Sequence, residues 1–461
     1  MKSTRTTALA LLVLDAVTTV VVFNVVSRLR GLGVADHLVL APLAGPLGVI
    51  VFSIYLIEGY KTRTDMMSVD YTSQHAIALL GAMLATLLFT FVFVFVPDGY
   101  ELQSSRAVIA ISFVALIPLT LGYRRMIYPR VLESHGERSL VFLGDRASCR
   151  AFHEECTKME MAQRVVFSLV NEGPEGPPES AVSEPRLRPF QEVLDEVERG
   201  QLAVEAIVLR ESARELPPEI SRRLVQLYFT GVPTYTLELF HQVYWQKIPL
   251  YRLNQTWLFQ EGFQIAREPV FERLKRMSDI GLSLLGLLLA APLIALGGLA
   301  VWLEDRGPVF FTQTRIGRNH HPFRLVKLRT MRVDPADGDL YTQPGDPRIT
   351  RVGRFLRSSR LDELPQLWNV LIGEMSLIGP RAEWERLVEK YEIEIPCYHF
   401  RHLVKPGITG WAQVNYPYGA NLEDTLRKLE YDLYYIRHFS FMLDASIVLK
   451  TIHIMLFGKG R

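Results

Sequence analysis

The stretch Ile280–Leu303, IGLSLLGLLLAAPLIALGGLAVWL, carries no charge, and Lys275, Arg276 and Asp279 precede it while Glu304, Asp305 and Arg306 follow. It reaches the roughly 20 residues that a membrane-spanning helix needs. Pro292 lies at its centre, where proline removes a ladder hydrogen bond and bends a helix. Whether the run crosses a bilayer or returns to the face it entered decides where Glu304–Arg461 lies. A re-entrant helical hairpin over 280–303 is expected, with a kinked spanning helix as the alternative.

Upstream, four apolar runs fill the first quarter of the chain: Ala8–Val26, Leu38–Ile57, Ala76–Val96 and Ala107–Tyr123. Each approaches spanning length. The first lacks a cleavable small-residue site and three more follow, so four spanning helices within residues 1–130 are expected rather than a removed signal peptide. Lys2, Arg5, Lys61, Arg63, Arg124, Arg125 and Arg130 fall on one side, against Arg28, Arg30 and Arg106 on the other. That bias puts the N-terminus and the segment after Tyr123 in the cytoplasm. A fifth crossing would then carry Glu304–Arg461 outside, which is the argument for the hairpin. Asp15 lies within the first run, where an acid is costly, and a place among helix partners is expected for it.

With 461 residues, 49% of them hydrophobic, the chain is too long and too apolar for one soluble domain of ordinary size. Its net charge of +2 gives no global polyanion signal, and no nucleic acid is expected as a partner. Cys149, Cys156 and Cys397 form no CxxC pair and read as reduced, buried thiols. The Asn254 glycosylation match is what chance supplies. Between 136 and 263, the short apolar runs SLVFLGD, RVVFSLV, AVEAIVLR and VPTYTLEL alternate with helix-compatible stretches such as PFQEVLDEVERG. That alternation predicts a small parallel α/β sheet. LGDRAS follows the first strand in place of a G-x-G-x-x-G fingerprint, which favours a structural or regulatory Rossmann-like module over a cofactor-binding one. Asn171–Pro189 reads as a surface loop.

Downstream of the run, Arg315, Arg318, Arg324, Lys327, Arg329 and Arg332 alternate with apolar residues. The pattern in FRLVKLRTM suggests a strand that brings Arg324, Lys327 and Arg329 to one site only if it bends or bulges. Arg348, Arg351, Arg354, Arg357 and Arg360 recur every third residue, a slowly turning cationic stripe if helical, suited to phosphates or to a basic membrane-facing surface. Asp362 and Glu363 follow, and Pro365 after them marks a helix start. A helix beginning at Ser359 or Arg360 would hold both acids in its first turn, where the dipole favours anionic carboxylate for a nucleophile or metal ligand. A capping pair on the surface is the bland alternative. Arg381, fixed by Gly379-Pro380, is placed to grip a diphosphate.

From Phe271 onward, KRMSDIGLSLLGLLLAAPL, GPVFFTQTRIG, KLRTM, RLDELPQLWNVLIGEMSLIGPR, VKPGITGWAQVNYPYG and LEYDLYYIRHFSFMLD occur in order. This part resembles the monotopic phosphoglycosyl transferases, bacterial enzymes that start glycan assembly on polyprenyl phosphate. The N-terminal helices and degenerate Rossmann-like module resemble the large-format members, and WLFQEGF and FGKGR look like the exopolysaccharide-locus branch. The resemblance implies an α-rich monotopic catalytic domain over 270–461. It also implies a UDP-hexose donor, with glucose or galactose favoured, and undecaprenyl phosphate as acceptor. Membrane lipid and a second copy in a homodimer would be the other partners. Asp362 would attack the β-phosphate and release UMP, and Glu363 would position it or join it in holding Mg²⁺. Lys327, Arg329, Arg360 and Arg381 would bind substrate, and Lys405–Trp411 would form a loop near the site or the interface. Two departures stand out: Ala291-Pro292 replaces the Ser-Pro usual at the bend, and Pro380-Arg381-Ala382 replaces Pro-Arg-Pro.

The C-terminal LDASIVLKTIHIMLFGKGR reads as an amphipathic helix on the cytoplasmic leaflet, with a buried core helix as the alternative. Tyr431, Tyr434 and Tyr435 suit either the domain core or the interfacial belt. A membrane-bound nucleotide-sugar dehydratase or epimerase needs a glycine fingerprint and a Tyr-x-x-x-Lys pair that the chain lacks. A non-catalytic scaffold of a polysaccharide assembly complex is the remaining alternative, with Asp362 and Glu363 merely capping a helix.

Overall fold

A computed structural model describes residues 2–31, 38, 40–57, 59–60, 66–93, 106–134, 138–159, 161, 163–169, 186–210, 216–250, 269–332, 346–416 and 421–457. Lys61, Arg63, Val94–Val96, most of the 171–189 loop, Asn254, WLFQEGF, the end of NYPYG and the final GKGR lie outside them. The chain divides into two compact units, Met1–Phe240 and His241–Arg461.

The first unit begins with helices α1 (Lys2–Leu29), α2 (Ala44–Leu56), α3 (Val69–Phe93) and α4 (Arg106–Ser134). Three of them are long and apolar enough to cross a membrane. α2 falls short of the span expected for it: its 13 residues reach about 20 Å against a hydrocarbon core of about 30 Å. Asp15 is fully buried and does find its partners. Arg124 grips it through both guanidinium nitrogens at 2.7 and 2.6 Å, Tyr60 donates at 2.7 Å, and Tyr123 donates as well. An unpaired charge at this depth would be costly, and four donors on one carboxylate remove that cost. Arg124 is therefore spent inside the helix cluster and cannot serve as one of the surface cations that orient the chain.

The same unit holds a five-stranded, all-parallel sheet in the order β3-β2-β1-β4-β5. Its strands are β1 (Ser139–Gly144), β2 (Val165–Leu169), β3 (Leu187–Pro189), β4 (Val204–Leu209) and β5 (Thr234–Thr236). Helices α5 (Arg146–Lys158), α6 (Phe190–Glu198) and α7 (Pro218–Phe229) follow β1, β3 and β4, and α8 (Leu237–Tyr244) follows β5 and runs past Phe240. Every residue of the central β1 is buried, which explains its unbroken apolar run. β3 corrects the loop reading of Asn171–Pro189 at its end. It is a three-residue edge strand, the place where a proline is tolerated in a sheet. After β1, Asp145 caps α5 by accepting from the Ser148 amide at 2.7 Å and pairs with Arg210. Its carboxylate thus occupies the helix N-terminus at which parallel α/β folds hold phosphate.

The second unit opens with α9 (Pro269–Asp305), a single 37-residue helix that contains Pro292. An antiparallel hairpin follows, β6 (Phe310–Ile316) with β7 (Pro322–Leu328), paired in one unbroken register. Then come α10 (Arg351–Ser358), α11 (Gln366–Ile372), β8 (Ser376–Ile378) and α12 (Glu385–Glu394). The chain closes with β9 (Gly407–Thr409), α13 (Trp411–Asn415), α14 (Leu422–Arg437) and α15 (Phe441–Phe457). Tyr398, Trp411, Leu433, Tyr435 and Ile447 centre the core. Tyr431 and Tyr435 are therefore core residues, and Tyr434 stacks on Trp411. Trp411 belongs to the core as well, its indole donating to the Gln246 carbonyl, so the Lys405–Trp411 segment is largely internal.

Two helices of this unit turn polar residues inward and apolar residues outward. On α9, Lys275, Asp279 and Ser283 are buried while Leu284, Leu285, Leu288 and Leu289 are exposed. On α15, Asp444, Ser446 and Lys450 are buried while Met442, Val448, Ile452 and Met455 are exposed. Lys450 is thus no surface cation: it bonds Asn415 at 2.8 Å and lies over the Trp411 ring. Both ends of α9 are tied within the unit, Lys275 to Asp444 at 2.5 Å and Asp305 to Arg329.

Candidate active site

Asp362 and Glu363 do not sit in the first turn of a long helix. They lie in a 3₁₀ turn, Leu361–Glu363, and α11 begins only after Pro365. Arg360 breaks the chain before them by adopting a left-handed conformation at φ 56°, so α10 ends at Ser358. The turn lifts Asp362 out of a helix dipole and into the protein, where it is 7% exposed. Burial, then the neighbouring Glu363 charge, push its carboxyl up to about 6, against the pull of Lys327 and Arg357. The sequence argument expected the opposite direction. An acid raised this far still ionises at neutral pH and keeps the basicity of a better nucleophile.

Three cations surround the pair. Arg381 donates to Glu363 at 3.4 Å. Lys327 lies against Phe311, 5.4 Å from the ring centroid, and feels both acids together with Arg315 and Arg381. Burial, helped by those two arginines, brings its ammonium down to about 8. Arg357 is the third, anchored by its bond to Thr330 at 2.9 Å. The sequence saw it only as one of five stripe arginines. Of those five, Arg351, Arg354 and Arg357 lie on α10, Arg348 precedes it and pairs with Asp346, and Arg360 follows it, exposed. Arg360 meets the acids through its main chain, its carbonyl accepting from the Glu363 amide at 3.2 Å.

Arg329 also departs from its expected place. Both of its terminal nitrogens bind Asp305, one at 2.6 Å, and Nε donates to the Pro308 carbonyl. It fastens the end of α9 to the hairpin. β7 neither bends nor bulges, so alternation leaves Arg324 exposed.

The scaffold behind these side chains rests on residues that the sequence did not single out. Asn369, buried in α11, accepts from the Val326 amide at 3.1 Å and donates to the Arg324 carbonyl at 2.8 Å and to Glu374 at 2.7 Å. It thereby sets the strand that carries Lys327. Arg401, inside the core, donates to the Arg381 carbonyl at 2.9 Å, to Asp432 at 3.0 Å and to Tyr398 at 2.6 Å. The main chain beside Arg381 is fixed further, because Gly379 meets Lys405–Gly407 too closely for any side chain. Isolated polar residues at irregular spacing leave no periodic trace, so these supports escape pattern reading.

Residues 270–458 match the family described as bacterial sugar transferase. An Aeromonas hydrophila protein named UDP-N-acetylgalactosamine-undecaprenyl-phosphate N-acetylgalactosaminephosphotransferase is 38% identical over 269 residues, 58% of this chain and 63% of that one. An Escherichia coli protein named UDP-glucose:undecaprenyl-phosphate glucose-1-phosphate transferase is 47% identical over 183 residues, 39% of each chain. The Rhizobium leguminosarum exopolysaccharide production protein PSS is 42% identical over 195 residues, 41% of this chain and 98% of its own length. The chain belongs to the bacterial sugar transferase family. It spans less than two thirds of the Aeromonas and Escherichia relatives. Within this bacterial sugar transferase, the family match coincides with α9 through α15 and so contains all the acids and cations described above.

Proposed function

We propose that the protein transfers a sugar-1-phosphate from a UDP-hexose to undecaprenyl phosphate, giving undecaprenyl-diphosphate-sugar and UMP. This would be the first membrane step of exopolysaccharide or O-antigen synthesis. The observation that carries the reading is the raised, buried Asp362 beside Glu363 with Lys327, Arg357 and Arg381 around them. Names of the family relatives support the reaction class.

In this reading an Asp362 carboxylate oxygen attacks the β-phosphorus as the bond to the bridging oxygen breaks. UMP leaves with that oxygen, and the sugar phosphate remains on Asp362. An oxygen of undecaprenyl phosphate then attacks the same phosphorus and displaces the carboxylate. Lys327 and Arg381 offset charge on the phosphates, and Glu363 holds Arg381 and orients the nucleophile. Mg²⁺ suits the two adjacent carboxylates, since the Glu363 charge already raises Asp362 and a divalent cation would relieve that repulsion. When bound, the ion neutralises the diphosphate.

The apolar faces of α9 and α15 support embedding in one leaflet, with Pro292 bending α9 into a re-entrant helix over 280–303. Ties from both ends of α9 to the same unit support this too. An open apolar groove of about 590 Å³, lined by Leu287, Ile294, Gly298, Trp302 and Phe310, suits an isoprenyl chain. The five-stranded sheet reads as a Rossmann-like module within 136–263 whose phosphate position Asp145 fills, following the 1–130 helices and preceding the 270–461 catalytic part in the sequence. The resemblance supports a bacterial inner membrane and a homodimer, and the Lys and Arg bias supports the cytoplasmic face.

The test is UMP release by nanodisc-held protein with Mg²⁺, undecaprenyl phosphate and UDP-glucose, UDP-galactose or UDP-N-acetylgalactosamine. The last is included because of the Aeromonas relative's name. Release with one or two donors, lowered at least about a thousandfold by Asp362→Asn, is expected. Equal turnover by the variant, or silence with every donor, overturns the reading.

A further inference from the structure

Away from Asp362, three elements of the second unit bring His320, Glu392 and His402 together, their ligating atoms all within 4.8 Å of one another. His320 comes from the turn between β6 and β7, Glu392 from α12, and His402 from the 3₁₀ segment Tyr398–Leu403. His320 Nδ1 lies 3.3 Å from Glu392 Oε1. That is about the separation of two ligands on a tetrahedral zinc ion with bonds of roughly 2.0–2.1 Å.

Two further observations point to a ligand. His402 is 5% exposed, yet its Nε2 has no hydrogen-bond partner, while the Gly317 backbone bonds the ring through its other nitrogen. A histidine held by a backbone carbonyl on one nitrogen and bare on the other has the tautomer and orientation of a metal ligand. The hairpin turn supplies the second. Arg318 accepts from the His321 amide, and Asn319 and His320 both take positive φ, 54° and 61°, which makes a type I′ turn. Glycine is preferred at the second of those positions, and here a histidine is held there. The hairpin itself gains nothing from that choice, whereas an imidazole is aimed at Glu392 and His402.

We propose that His320, Glu392 and His402 form a binding site for a zinc-class divalent transition metal, separate from the Asp362–Glu363 pair. Two imidazoles and one carboxylate leave a fourth position open to water, and the exposed edges of His320 and Glu392 give the ion a way in. The charge of Arg401 is met by Asp432, which limits its repulsion of a metal ion. The bound ion staples the β6–β7 hairpin, α12 and the segment next to Arg401, the residue that holds the Arg381 carbonyl.

The experiment titrates Zn²⁺ alone into the chelator-stripped full chain in nanodiscs against a competing indicator, with Co²⁺ absorption as a second readout. The expected result is about one equivalent of Zn²⁺ that millimolar Mg²⁺ does not displace, together with a higher Tm. His320→Asn, which suits the turn, and Glu392→Gln, on an accessible side chain, should each weaken binding at least tenfold and abolish the Tm rise. Asp362→Asn should leave both unchanged. No stoichiometric binding, or binding that survives both His320→Asn and Glu392→Gln, overturns the proposal.

Discussion

Lys327 titrates within the working pH range, and this gives the site a signature. Its ammonium, lowered to about 8, is charged at neutral pH and loses its proton as pH rises through that value. KM for the UDP-sugar should therefore rise between pH 7 and 9, while Lys327→Arg, with a guanidinium that stays charged, should show a flatter profile. Parallel profiles would remove Lys327 from substrate binding. Asp362, Glu363 and Arg381 drew notice in the sequence because charge beside proline and glycine punctuation is a local signal, whereas Lys327 was singled out through the family resemblance. Arg329 was misread for the converse reason: its partner Asp305 lies 24 residues away, and alternation along a strand says nothing about partners. The raised Asp362 was missed because a left-handed Arg360 moved the acids from a helix start into a buried turn.

Between elements, Asn369 and Gly353 are the joints to test. Asn369→Ala strands the part-buried Val326 amide and the Arg324 carbonyl, and should cost about 1–3 kcal/mol in denaturant unfolding while also lowering turnover through Lys327. A change below 0.5 kcal/mol would show that α11 and β7 are held by other means. At Gly353 on α10, any Cβ runs into the Thr330 carbonyl, so Gly353→Ala should destabilise by about 1–3 kcal/mol and disturb the Arg357–Thr330 bond. Normal stability with normal turnover would refute that. The alternation of β1, β2, β4 and β5 with helices was readable from period and punctuation, whereas β3 and the turn at the acids were not. The facing of α15 was not, because a two-faced helix announces its two faces but not which one the domain claims. Lys450, whose stem and ammonium meet Trp411 and Asn415, shows how the claim was settled.

Across the whole molecule, the Rhizobium relative is matched over 98% of its length by 41% of this chain, about the share that the family match at 270–458 covers. A fragment covering 241–461, placed in membranes, should retain UMP release that depends on Asp362. A fragment that folds yet releases none would make the first unit part of the catalyst. In the first unit, burial pushes Cys149 up to about 11 and Cys156 up to about 12. Both should resist maleimide at pH 8 until the protein is unfolded, while the half-exposed Cys397 reacts first. The change from apolar helices to alternating strands and helices was legible from composition, whereas the contraction of the second apolar run to the 13 residues of α2 was not, since hydropathy records apolarity and not where a helix begins. The tie between Lys275 and Asp444 also has a consequence during synthesis. The two are 169 residues apart, so at ribosomal speed α9 emerges about 10–30 s before its counter-charge exists. For that interval the nascent chain carries an apolar helix with an unmatched cation at its entrance. The buried seat of Lys275 is therefore completed only once α15 has been made, late in the synthesis of this unit.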